Sequence, residues 1–437
     1  MTRSADGDFG FAGARGARTV LSVLFLIYML DYIDRMVVTG MISYIKADWG
    51  ISDQQAGWLV SVVIIFITVF SIPAAILIDR WSRRKMVAIM TAFWSLATLA
   101  CSFARSFTQL LIARAFIGVG EAGYAPAGTA LLSASYPEKK RARVMGIWNI
   151  SIPLGIGIGM ALGGLIARYW GWKHAFGLVS IPGFLLAVWA WRLPDYKTVR
   201  TPGTSLFRAG LWANTIGVLR TPSALLTYLG FAMNVSITTA LTTWLPTYFE
   251  RSGFAAQGRG GMYATPVFAM VLVGAPLGGY LSDRWQAKNP RGRLLFPAVS
   301  SLGAAGILVV ALGAPQGAVQ MVLLGLFGIA LTLFLAPAVA VTQDVVHPGL
   351  RALSYSLCVI VQHTAGDAWS PPLIGLLSDK MGLQSAMVFL PLYGVLAATF
   401  FYLASRYYVQ DMARVEKVTL VSEAQSAEPL DKPRASE

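Results

Sequence analysis

Apolar runs long enough to cross a bilayer recur along the whole chain, and that recurrence limits what it can fold into. About 20 residues of helix span the hydrocarbon core, where lipid offers no partners to backbone N–H and C=O groups. Twelve such runs are read at 19–45, 54–78, 86–104, 107–132, 143–167, 174–192, 222–249, 261–282, 294–313, 317–342, 351–378 and 384–407. With 437 residues, 56% of them hydrophobic and 13% charged, the composition excludes a soluble domain of this size. The expected fold is an all-α membrane protein, twelve transmembrane helices in two pseudo-symmetric six-helix bundles.

Charge sets the expected topology. The formal net charge is +14, which on its own would fit a nucleic-acid partner or an anionic lipid surface. Of the 35 Lys and Arg residues, however, only Lys46, Arg105, Arg168, Lys173, Arg251, Arg259 and Lys380 fall on one side of the twelve runs, and Arg35 and Arg114 fall within them. The rest gather on the other side, which the positive-inside rule makes cytoplasmic. Both termini are then cytoplasmic in a multi-pass protein of the plasma (inner) membrane, and no nucleic-acid partner is needed. Asp6 and Asp8 stand where a cleavable signal would be basic, so the first run is expected to stay. Cys101 and Cys358 both fall inside runs, which argues against a disulfide or a cysteine metal site.

The longest polar interruption, 192–220, divides the chain. The expected organisation is a cytoplasmic tail over 1–18, a first bundle over 19–192, a central loop over 193–221, a second bundle over 222–407 and a cytoplasmic tail over 408–437. The stretch 207–219 has the spacing of a short amphipathic helix. A small residue four positions before a surface charge recurs at the ends of the second, fifth, eighth and eleventh runs: Ala75 before Asp79, Gly164 before Arg168, Gly279 before Asp283 and Gly375 before Asp379. That period of three helices within six-helix halves is how several secondary transporters are built.

Five charges interrupt two of the apolar runs. Asp31, Asp34 and Arg35 lie in the first, and Arg114 and Glu121 in the fourth. Each costs about 2.5–3.5 kcal/mol against lipid, so the three in the first run alone would forfeit roughly 8–10 kcal/mol. They must face protein or water, in a chain that moves something polar or protons. On a helix Asp31 and Arg35 stack on one face, and Arg114 and Glu121 project to one side about 10.5 Å apart along the axis. Asp34 and Glu121 are the expected proton carriers, with Asp31 as a third carboxylate. Arg35 and Arg114 are expected to hold an anion or to pair with the carboxylates. The alternative is a static set of ion pairs fixing one helix against another.

The motif Asp79-Arg80-Trp-Ser-Arg83-Arg84-Lys85, its counterpart Gly279-x-x-x-Asp283-Arg284 and the two-half layout resemble the major facilitator superfamily over 19–407. Ala75 and Ser82 replace two glycines usual in the loop motif. Asp31-Tyr-Ile-Asp34-Arg35, Arg114-Ala-Phe-Ile-Gly118-Val-Gly120-Glu121-Ala-Gly123-Tyr124 and the segment from Gln343 to Asp379 resemble its spinster-like branch, related to the anion:cation symporters. The first resemblance implies a proton-linked carrier of lysolipid or sphingolipid type molecules, the second a proton-coupled carrier of sugar acids and other organic anions.

Further expectations follow from the residues. Tyr32, Tyr124, Trp244, His363 and Asp367 are candidates to line a cavity, the last two as a hydrogen-bonded pair four apart on the eleventh helix. Asp79, Arg80, Arg83, Arg84, Asp283 and Arg284 are expected to hold a cytoplasmic gate shut. Gly155, Gly159 and Gly163 are expected at a rocking seam between the halves. No nucleotide-binding motif, metal-ligand spacing or nucleophile paired with a base is visible. The expected activity is therefore that of a monomeric, cofactor-free secondary transporter driven by the proton gradient, moving a small-molecule or lipid-like anion. A membrane-embedded transferase and a transport-dead sensor are the other readings.

Overall fold

The computed structural model describes residues 13–80, 82–195, 210–347 and 350–415, and these form helices joined by short turns. The first half contains α1 (Gly13–Val37), α2 (Ile42–Trp49), α3 (Asp53–Arg80), α4 (Arg83–Ser102), α5 (Phe107–Glu121), α6 (Tyr124–Ser135), α7 (Glu138–Asn149), α8 (Ser151–Trp170) and α9 (Trp172–Trp191). A helix between the halves, α10 (Gly210–Leu219), leads into α11 (Pro222–Arg251), α12 (Gly260–Ala269), α13 (Val271–Gln286), α14 (Gly292–Gly313), α15 (Ala318–Thr332) and α16 (Leu335–Asp344). The chain closes with α17 (Arg351–Gln362), a π turn at His363–Asp367, α18 (Ser370–Met381), α19 (Leu383–Met387) and α20 (Leu390–Arg414). Residues 196–209 of the expected central loop, and 1–12 and 416–437 of the expected tails, lie outside the described residues.

Twelve membrane passes result: α1, α3, α4, α5 with α6, α7 with α8, and α9, then α11, α12 with α13, α14, α15 with α16, α17 with α18, and α19 with α20. Among the described residues nine passes are long and apolar enough on their own to span. The other three are α1, α5 with α6, and α17 with α18. They are the passes that carry Asp31, Asp34 and Arg35, then Arg114 and Glu121, then His363 and Asp367. An even number of passes puts residues 13 and 415 on one face, here the terminal face, with the opposite face across the bilayer.

Local chemistry fixes several helix ends. Ser82 and Ser106 accept from the backbone N–H of Lys85 (3.2 Å) and Gln109 (3.4 Å), capping α4 and α5. Gly171, at φ +89°, turns α8 directly into α9. Leu185, Val69 and Val322 are among the large apolar side chains left exposed on the outside, as a lipid-facing wall requires.

The glycine-rich helix α8 corrects the expected seam. Gly155, Gly159 and Gly163 pack on the carbonyls of Met29, Ile33 and Val37 of α1, so this row fixes two helices of the same half. The contact between halves uses the other side of α8, where Gly157 meets Thr265, Met160 meets Gly261 and Gly164 meets Gly258. A four-residue spacing identifies a close-packing stripe but not its partner.

The two kinds of seam predict different mutant behaviour. A Cβ at Gly163 would lie 2.0 Å from the Val37 carbonyl oxygen, and one at Gly375 2.4 Å from that of Asp53 across the halves. Gly163→Val is expected to destabilise the first half by about 1–3 kcal/mol, read as a lower melting temperature in detergent. Gly375→Val, combined with Gln54→Cys, is expected instead to raise labelling of the opposite face by a membrane-impermeant maleimide with a smaller loss of stability. Equal behaviour of the two variants would contradict the assignment.

Candidate functional site

The site is built on α1 and α5. Arg35 sits one turn beyond Asp31, and its Nη2 lies 2.8 Å from Asp31 Oδ2 while its Nε lies 2.8 Å from Glu121 Oε2. One guanidinium thus holds two carboxylates on two helices. Asp31 and Glu121 are sealed, with side-chain exposures of 1% and 0%, whereas Arg35 keeps 20%. The only open face of this triad is its cation.

Asp34 and Arg114 are buried nearby with different partners. Thr98 of α4 donates its hydroxyl to Asp34 Oδ2, and Asp34 Oδ1 has no hydrogen-bond partner among the described residues. Arg114 donates Nε–H to the Leu59 carbonyl and Nη2–H to that of Arg35 (3.3 Å). Among the described residues it forms no ion pair, although it lies within electrostatic reach of Asp34 and Glu121. Of the two expected roles for the arginines, Arg35 takes the carboxylate-pairing one, and Arg114 ties α5 to the backbones of α1 and α3.

Aromatic rings continue from the triad toward the terminal face. The Arg35 guanidinium lies 4.9 Å from the Tyr32 ring centroid, Tyr32 packs on Tyr28 at 5.4 Å, and Tyr28 stacks on Trp148 at 4.5 Å. Tyr32 and Tyr28 are half-buried. Tyr124 and Trp244, expected on a cavity wall, are instead packed inside. Tyr124 donates its hydroxyl to the Leu24 carbonyl at 2.5 Å, and the Trp244 indole N–H donates to Pro371 at 3.0 Å. Satisfying their polar ends keeps such rings in the core.

In the second half, His363 Nδ1 lies 3.0 Å from both Asp367 oxygens within the π turn. Gly366 of that turn packs on the Ala232 carbonyl of α11. The pair joins none of the charges on α1 and α5 by hydrogen bond or ion pair among the described residues.

Of the expected gate charges on the terminal face, Arg84, Asp283 and Arg284 make contacts within their own halves. Arg84 donates to the Leu193 carbonyl (2.8 Å) and lies 3.9 Å from Asp195, which also accepts from Ser82. Arg83 is buried beside them. Asp283 pairs with Arg293 (3.0 Å), which also holds Asp344 at 2.8 Å, and Arg284 covers the Tyr280 ring at 4.7 Å. The side chains of Asp79 and Arg80 lie outside the described residues.

Charges that bridge the halves lie on the opposite face. Asp53, at the start of α3, takes both Arg251 guanidinium nitrogens at 2.6 and 2.7 Å, the Ser378 hydroxyl and the Lys46 ammonium. Asp379 of α18 returns the contact, accepting the backbone N–H of Asp53 (2.7 Å) and Gln54 (2.9 Å) and so capping α3 from the other half. Ser43 donates to Glu250 at 2.7 Å, Arg168 donates to the Gln257 carbonyl at 3.1 Å, and Trp58 meets Trp369 edge-on at 5.8 Å. Sequence reasoning missed Asp53, Arg251 and Glu250. Their only signal is a charge at a helix end, although Asp379 closes the recurring motif that also contains Arg168.

Removing one member of the triad exposes its dependence on the others. Arg35→Ala is expected to cost about 3–5 kcal/mol, because two buried carboxylates lose their cation. Arg35→Ala combined with Glu121→Gln is expected to recover a substantial part of that loss in thermal denaturation, a coupling read by the double-mutant cycle. Additive losses would show that the groups do not act as a unit.

The model of the Major Facilitator Superfamily matches residues 24–371. Protein spinster homolog 1 of Homo sapiens is 30% identical over 383 residues, covering 81% of this chain and 72% of that protein. The Xenopus tropicalis protein of the same name is 28% identical over 425 residues, covering 89% and 81%. Among solved structures, a bacterial homolog to the human lysosomal transporter spinster, inward-facing and unoccupied, superposes with a TM-score of 0.80 at 24% identity, covering 91% of this chain and 98% of that one. The nucleoside transporter NupG shares the fold more distantly, with a TM-score of 0.69 at 12% identity over 88% of this chain and 99% of that one. The chain belongs to the major facilitator superfamily, as a spinster-like transporter with the twelve-helix fold.

Proposed function

We propose that this transporter couples proton movement to carriage of an amphipathic, lysolipid-like organic anion across the plasma (inner) membrane by alternating access, with both termini cytoplasmic. The observation that carries this reading is the triad whose only exposed member is Arg35. An anionic head group arriving from the terminal face meets that guanidinium first and competes with Glu121 and Asp31 for it. A carboxylate that loses its cation in a buried site favours its protonated form. Anion and proton are then bound together.

Charge bookkeeping supports the same coupling. Asp31, Asp34 and Glu121 outnumber Arg35 and Arg114 by one negative charge when all five are ionised, and an uncompensated charge is expensive inside a membrane. One resting proton makes the empty cluster neutral, and each monoanion bound then adds a negative charge that a second proton, on Glu121 or Asp34, offsets. A neutral cluster is free to change its side of access. The half-buried rings of Tyr32 and Tyr28 beside Arg35, backed by Trp148, give an apolar surface for the rest of an amphipathic molecule, which favours a lysolipid-like substrate over a sugar acid. The carrier works as a monomer, without cofactor or metal, and performs no covalent chemistry.

With the termini cytoplasmic, the bridges around Asp53 and Asp379 close the external side, and the arrangement is inward-facing. The likeness to a bacterial relative described as inward-facing supports this. In alternating access the lock must open once per cycle. Asp53→Asn weakens its bonds to Arg251 and Lys46, so a cysteine at Gln54 in that variant is expected to react several-fold faster with an external, membrane-impermeant maleimide. Unchanged labelling would contradict the lock.

Transport itself is tested in proteoliposomes carrying an internal pH dye. Lysophosphatidylglycerol is expected to drive proton entry, and Glu121→Gln to reduce that entry at least tenfold while the protein remains folded. Proton entry driven by glucuronate alone would favour the sugar-acid reading, and no proton movement with either anion would overturn the proposal.

A further inference from the structure

On the outer wall of the first half, a groove of ≈ 390 Å³ runs between α4 and α9, floored by Ala88, Ala92 and Ala187 and closed toward the terminal face by Trp191 and Arg192. Ala88 and Ala92, four apart, present the same side of α4, and their small side chains leave a channel where larger ones would fill the wall. Val188 at its edge is 57% exposed, so the channel faces the hydrocarbon. Lys85 lies one turn before Ala88, its Nζ 5.8 Å from the Trp191 ring centroid. Neither Lys85 nor Arg192 forms an ion pair among the described residues. The carboxylate three residues beyond Arg192, Asp195, is engaged by Ser82 and Arg84. An apolar slot entering the bilayer thus ends at two cations that have no ion-pair partner among the described residues. Topology-setting charge accounts for the cations, but not for the channel beneath them.

We propose that this groove holds an anionic phospholipid of the terminal-face leaflet, its phosphate between Lys85 and Arg192 and one acyl chain along Ala88, Ala92 and Ala187. Basic rims between membrane helices recognise lipid phosphate in this way. The site lies on the lipid-facing side of the bundle, so it stands whatever molecule the protein carries.

Native mass spectrometry of the purified full chain tests it with three probes: phosphatidylglycerol, phosphatidylcholine, and glycerophosphate as a phosphate without acyl chains. Phosphatidylglycerol is expected to be retained in preference to both others. Lys85→Gln with Arg192→Gln should weaken that retention about fivefold per cation. Ala92→Phe, which fills the channel and keeps both cations, should weaken it as well. Both changes lie on the lipid-facing wall, and a monodisperse elution profile checks that the fold is kept. Equal retention of the two phospholipids would overturn the proposal. Glycerophosphate binding as well as phosphatidylglycerol, with no effect of Ala92→Phe, would also overturn it by assigning the cations to free phosphate.

Discussion

One guanidinium holding two buried carboxylates is the interaction on which the first half depends. Arg35 ties α1 to α5 through Glu121 and to its own preceding turn through Asp31. In a lipid environment these groups cannot be stabilised singly, so the two helices must stay in register for any of the three to remain ionised. Arg114 reinforces the arrangement differently, spending its donors on the carbonyls of Leu59 and Arg35. The result is a rigid half whose weak point is electrostatic. Displacing one partner of Arg35 would leave a buried carboxylate without its cation and need not unpack the helices, as the proposed coupling requires.

The closed side of the molecule uses the opposite strategy. There the bridges cross between halves and stand at helix ends, where water can replace each lost partner as the halves part. Asp53 collects Lys46, Arg251 and Ser378, while Asp379 supplies acceptors for the first backbone donors of α3. The recurring small-residue and charge motif now separates by side. Its members at Arg168 and Asp379 reach the other half, and its member at Asp283 bonds within its own half to Arg293. The same local pattern serves both faces, and only the position of the partner half decides whether it bridges.

Much of the fold was legible because hydropathy depends only on local composition. The charges at Asp31, Arg35 and Glu121 were legible for the same reason, since an ion within a membrane span stands out against its neighbours. Partners were not. Gly155, Gly159 and Gly163 announced a close contact, yet whether that contact lay inside a half or between halves depends on the rotation of α8, which spacing does not contain. Tyr124 and Trp244 illustrate a related limit, because an aromatic with a polar end suits a cavity wall as well as a core with a free carbonyl. Asp53, Arg251 and Glu250 were hidden because surface charges at helix ends are ordinary, and their significance comes only from a second half folded against them.

The central claim is that an anion reaching Arg35 leaves the buried carboxylates short of a cation, so that one of them takes up a proton from water. Infrared difference spectroscopy of the purified protein, with lysophosphatidylglycerol as the added anion, reads this directly. The account predicts a new protonated-carboxyl C=O band on addition, absent in Glu121→Gln if Glu121 is the acceptor and in Asp34→Asn if Asp34 is. Saturating binding of the anion with no change in the carboxyl region in the unaltered protein would contradict it.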